Sequence, residues 1–85
     1  MQEKEIGVVT HYFGKISVGI IQLKDTLKIG DTIHIKGIHD DFIQVVDSMQ
    51  MEHKPVEEAG KGDLVGIKVA QRVHPNDKIF KVIEP

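Results

Sequence analysis

Residues 56–69 read VEEAGKGDLVGIKV, and the reading of this stretch decides the fold. Gly60 and Gly62 flank Lys61, so the chain can reverse there without a β-carbon in the way. Asp63 can accept a hydrogen bond from the backbone of its own turn, which fixes where the next strand starts. Beyond it, Val65, Ile67 and Val69 fall on one face at the two-residue period of a strand. Gly66 sits in mid-strand, a position that marks a close backbone approach or a bend.

The same device occurs upstream. Lys28-Ile29-Gly30-Asp31 leads into Thr32-Ile33-His34-Ile35, and a looser copy, Pro75-Asn76-Asp77, leads into residues 78–82. The spacing between copies is unequal, so this is a rhythm of turns feeding short strands, not a solenoid repeat. Residues 6–13 and 16–23 are rich in β-branched side chains and are split by Gly14-Lys15, as two strands with a tight turn would be. The second run changes phase at Ile21 and Leu23, which predicts a bulge near residues 19–21. A third strand follows over 32–36. A long fourth strand is expected over 42–52, bent by a bulge at 46–48, and Pro55 ends it because proline cannot donate to a ladder. The fifth strand follows Asp63 and the sixth covers 78–83. No segment keeps a helical period. Six short strands with turn residues between them predict an all-β fold, a small closed six-stranded antiparallel barrel.

Eighty-five residues predict one domain spanning 1–85, with 40% hydrophobic and 28% charged residues. The net charge of −2 argues against a protein held to nucleic acid by a general basic excess. No cysteine is present, which excludes disulfides and thiolate metal sites. The charged start, Gln2-Glu3-Lys4-Glu5, does not read as a signal peptide, and no run approaches the roughly twenty apolar residues of a membrane helix. A cytoplasmic protein is the expectation.

The five histidines form no helical metal pair. His34 and His39 could meet across the loop that holds Asp40 and Asp41, against the simpler reading of solvent-facing histidines. Glu57 and Glu58 are adjacent, so on a strand they point to opposite faces and read as solvated rather than as an acid–base pair. Ser17 and Ser48 lack a neighbouring histidine. The Gly60–Asp63 turn lacks the spacing of a phosphate-binding loop and precedes a strand, not a helix, so it reads as a hairpin turn. Met49 and Met51 read as core gap-fillers, with a methionine-lined binding surface as the alternative. Tyr12, beside Lys15, is the aromatic best placed to stack on a base, while Phe13, Phe42 and Phe80 are expected in the core. No cofactor, metal site or catalytic residue is expected.

Taken in order, residues 25–33 (DTLKIGDTI), 46–50 (VDSMQ), 56–59 (VEEA) and 62–67 (GDLVGI) resemble the second domain of translational GTPases such as elongation factor Tu and bacterial initiation factor two. The resemblance implies a six-stranded barrel of the translation-protein type, here without the GTPase domain that precedes it in those factors. It implies contacts to the tRNA end or a ribosomal component through the first hairpin, where Lys15 stands. The expectation is therefore a non-catalytic barrel that binds RNA or a translation-related protein. Its binding surface would lie at Tyr12 and Lys15 on the first hairpin, and at Lys54 and Glu57 on the loop before the Gly60–Asp63 turn. A protein-interaction module, acting as an accessory subunit or a small homo-oligomer, is the alternative.

Overall fold

A computed structural model describes residues 2–83. Its strands are β1 (Gln2–Phe13), β2 (Val18–Leu23), β3 (Leu27–Lys28), β4 (Thr32–Lys36), β5 (Asp41–Val45), β6 (Met49–Met51), β7 (Lys54–Val56), β8 (Glu58–Ala59), β9 (Leu64–Lys68) and β10 (Lys78–Ile83). Eight of them form one antiparallel sheet in the order β5-β4-β10-β1-β2-β9-β6-β7, and β3 pairs with β8. There is no helix among the described residues, and so none long and apolar enough to cross a membrane.

The all-β antiparallel expectation holds, but the closed six-stranded barrel does not. The sheet has two ends, β5 and β7, and no ladder joins them among the described residues. The reason lies in residues 46–48. The expected long strand breaks there, and its halves, β5 and β6, go to opposite ends of the sheet order. Val46 is buried at the crossing, and just before it a side chain instead of a ladder ties β5 to the end of β9. The Gln44 amide donates to the Lys68 carbonyl at 2.9 Å and accepts from the Ala70 N–H at 2.7 Å. Pro55 does not end a strand but sits in edge strand β7, where a missing N–H is tolerated. The turn that makes this β6–β7 hairpin possible uses Glu52 and His53, both left-handed (φ 50° and 65°). Neither residue type announces such a turn, which normally takes Asn-Gly.

Strand β1 carries two register shifts. One is at Ile6 against β10, and the other is at Thr10, where Val9 faces Ile21 and His11 faces Ile20. The expected bulge is thus on the facing strand, opposite residues 20 and 21. The shift at Ile6 lets Ile6 and Val9 both point inward despite their odd spacing, and the one at Thr10 does the same for Val9 and Tyr12. The first hairpin turn is longer than Gly14-Lys15: Phe13 pairs with Val18, so Ile16 lies in the turn, exposed, and not in a strand.

The core is aliphatic: Ile6, Val9, Ile21, Leu23, Leu27, Ile33, Ile35, Val46, Val65, Ile67, Val73 and Ile79 are buried, with Met49 among them. Phe42 and Phe80 are only partly buried and Phe13 is exposed, so the phenylalanines do not form the core as expected. Gly66 fulfils its reading. A β-carbon there would meet Val18 Cγ1 at 3.1 Å and Gln50 Cγ at 3.4 Å, because β2 and β6 press on it from both sides.

Candidate functional site

Three corners organise the molecule, and their backbone chemistry is the same. In Lys28–Asp31, Gly60–Asp63 and His74–Asp77 the fourth residue's N–H donates to the first residue's carbonyl at 3.1, 3.0 and 3.1 Å. The aspartate Oδ2 accepts from the first residue's N–H at 2.9 Å in each. The third residue has positive φ: 97° at Gly30, 88° at Gly62 and 78° at Asn76. Glycine and asparagine tolerate that conformation, and Pro75 suits the second position of the last copy. Each corner also exchanges two backbone hydrogen bonds with one buried aliphatic residue: Val46, Leu23 and Val9 respectively. Gly60–Asp63 is therefore not a hairpin turn. It clips β9 onto the end of β2.

The corners differ in what surrounds the aspartate. Asp31 and Asp63 are half-buried, whereas Asp77 is 3% exposed. Gly37 closes over it, and a β-carbon on Gly37 would lie 1.8 Å from Asp77 Oδ1, so only glycine fits. The Gly37 N–H donates to the Asp40 carbonyl at 2.7 Å and folds the loop so that Asp40 reaches the corner. Asp40 Oδ2 lies 2.7 Å from His74 Nδ1, and the His39 ring packs against His74 at 5.3 Å between centroids. Burial and the neighbouring Asp40 carboxyl push the Asp77 carboxyl up from its ordinary range. Burial also works against ionised Asp40, but hydrogen bonds from Asp77 and His74 outweigh it and hold Asp40 low. Two carboxyls in contact thus share a site in which one holds the proton longer. A groove of about 560 Å³, lined by Lys36, Ile38, Pro75 and Phe80 among others, opens onto this cluster.

His34 does not meet His39. Its Nδ1 lies 2.8 Å from Glu3 Oε2 and its Nε2 contacts the Asp41 carboxylate, so it ties β1, β4 and β5 together. The Asp41 hydrogen bond and Glu3 raise its pKa against the opposing effect of burial. With both nitrogens committed to carboxylates, this ring has no lone pair free to act as a base or a ligand.

An apolar groove of about 530 Å³ lies on another face, between the first hairpin and the β6–β7 turn. Phe13, Ile16 and Leu64 line it, 47%, 58% and 55% exposed, with Met51 at its floor. The left-handed Glu52 and His53 form part of its wall. Non-glycine residues hold such conformations only where their surroundings dictate them, and they gather at binding sites.

The residues singled out in the sequence do not form one site. Tyr12 is half-buried and packs on the core. Lys15 is exposed in the hairpin turn and Lys54 is exposed on β7. Glu57 lines a small separate groove with Lys28, Ile29 and Glu58. The sequence reading missed the Asp40–His74–Asp77 cluster, whose signal was faint: a third corner opening on His-Pro where the other two open on Lys-Ile and Gly-Lys.

No protein-family model matches the chain. It is 44% identical over 81 residues to a Methanocaldococcus jannaschii protein named as an uncharacterized protease, covering 94% of this chain and 20% of that protein. It is 33% identical over 82 residues to a Porphyromonas gingivalis collagenase, covering 94% of this chain and 23% of that protein. The chain thus spans about a fifth of the length of these relatives. Its structure superposes with a TM-score of 0.88, at 20% identity, on the C-terminal domain of a Geobacillus thermoleovorans protein described as a U32 peptidase, covering 94% of this chain and 93% of that one. These findings correct the likeness to a translational GTPase domain and the RNA-binding role drawn from it. Aspartate corners that join short strands are a general solution for small β folds and do not carry a function with them. The exclusion of an enzyme is corrected as well, since the relatives are named as a protease and collagenases.

Proposed function

We propose that this chain acts as the β-domain of a U32-type peptidase and takes part in that enzyme's handling of polypeptide substrates. The observation that carries this reading is the 44% identity, along 94% of the chain, to a protein named as a protease. The collagenase relatives favour an extended, partly unfolded polypeptide as the substrate class. The apolar groove suits such a ligand. Phe13, Ile16 and Leu64 offer apolar surface to side chains of a passing strand, while Gln50 and Asp63 at its border can meet backbone polar groups. Fully burying one such side chain contributes roughly 1.5–3 kcal/mol. After the costs of association, two or three of them give weak binding, suited to a substrate that must be released.

Fluorescence anisotropy with labelled gelatin fragments tests this. Saturable binding in the micromolar-to-millimolar range is expected, weakened about tenfold by I16E or L64E, whose sites are on the surface and leave the fold intact. Binding that is absent at millimolar protein, or indifferent to both substitutions, would remove the support for this reading.

A further inference from the structure

We propose that Asp40, His74 and Asp77 bind one divalent transition-metal ion of the zinc class. One ligand atom from each residue lies within 4.8 Å of the others. An ion bonded at about 2.0–2.2 Å holds neighbouring ligand atoms roughly 3–3.6 Å apart, so small side-chain rotations bring the three into place. The set is one imidazole nitrogen and two carboxylate oxygens, a borderline-soft donor mixture that suits zinc better than calcium or magnesium.

Three observations separate this cluster from an ordinary acidic patch. Its carboxylates are enclosed: the Asp77 residue is 3% exposed and the Asp40 side chain 10%, while the His74 side chain, at 38%, faces the groove. Its two carboxylates converge on one histidine: Asp40 Oδ2 lies 2.7 Å from His74 Nδ1, and Asp77 Oδ2 accepts from the His74 backbone N–H at 2.9 Å. The other corners need none of this to turn the chain, since Asp31 and Asp63 make the same turn bond without a second carboxyl and a histidine closing on them. A divalent ion with two carboxylates and a neutral imidazole makes a neutral complex, which suits a buried site. His39, against the His74 ring, can supply a fourth ligand, and the adjoining groove gives an ion a way in.

The test uses untagged protein, stripped with a chelator and titrated with zinc chloride in a calorimeter. One equivalent is expected to bind with micromolar affinity, and D40N and H74A are each expected to lower the affinity about tenfold or more. The unsubstituted protein is followed by NMR in parallel, so the test does not depend on the variants folding. One equivalent of zinc should move the imidazole resonances of His74 and leave those of His34 in place. No saturable uptake below roughly millimolar zinc would overturn the assignment. So would resonance shifts confined to the exposed His11 or His53, or equal affinity for magnesium.

Discussion

The Gly60–Asp63 and His74–Asp77 corners are built alike, yet they do different things. Both turn the chain with a left-handed third residue, cap the turn with an aspartate oxygen 2.9 Å from the first N–H, and clip a buried aliphatic residue by two backbone bonds. In the first the carboxylate remains half-solvated and its work ends with the turn. In the second, the same carboxylate lies beneath Gly37 and touches Asp40, and its burial costs stability once it ionises. A structural motif repeated within one chain thus supplies its own control: whatever the third corner has beyond the others is not needed to turn the chain.

Replacing the glycines near each corner should separate them most strongly. G37A places a β-carbon 1.8 Å from Asp77 Oδ1 and 3.3 Å from its Cα. Overpacking of that kind should cost about 3 kcal/mol and lower the melting temperature by more than about 10 °C. G60A meets nothing within 4 Å and should change stability by less than about 0.5 kcal/mol. Equal losses for the two would mean that the Gly37 contact is not the constraint described. G62A is intermediate. Its surroundings are open but φ is +88°, and the left-handed strain should cost about 1–2 kcal/mol in urea unfolding. G62N should recover part of that, since Asn76 already fills the equivalent place.

A smaller effect tests the other histidine. Glu3 and Asp41 raise the His34 pKa, so the folded state binds its proton more tightly than the unfolded chain does. That contribution is present in full below the ordinary histidine value and is lost as pH rises through the raised one. H34Q should therefore destabilise the protein more at pH 6 than at pH 8.5, as read by chemical denaturation at the two values. An H34Q loss that is the same at both would show that the ring is not charged between its carboxylates.

Much of this architecture could be read from the residues. The three aspartate corners, the strand over 32–36, the close approach at Gly66 and the last strand over 78–83 all follow from local rules, and local rules are what a sequence displays. The seam was not legible. Whether the chain breaks at 46–48 or bulges there depends on where the two ends of a sheet meet, and Gln44 looks like any other half-exposed strand residue. The β6–β7 turn was hidden because Glu52 and His53 are forced into left-handed geometry by their surroundings rather than inclined to it. The cluster joins Asp40 to residues 34 and 37 positions away, with Gly37 as the hinge of the arrangement, and no periodicity connects loops that distant. The likeness to a translation factor rested on the corners, which are the most general part of the fold, and left out the surroundings that make one of them distinct.

The central claim, that only the third aspartate does more than turn the chain, is tested most directly by melting D31N, D63N and D77N beside the unsubstituted protein at pH 8 with chelator present. A neutral amide is a weaker acceptor than a carboxylate, so D31N and D63N should melt lower. The raised pKa of Asp77 makes its ionised form a burden that grows as pH rises through that value, so D77N should melt a few degrees higher, with the gain vanishing near pH 4. Three variants that all melt lower by similar amounts would contradict the account.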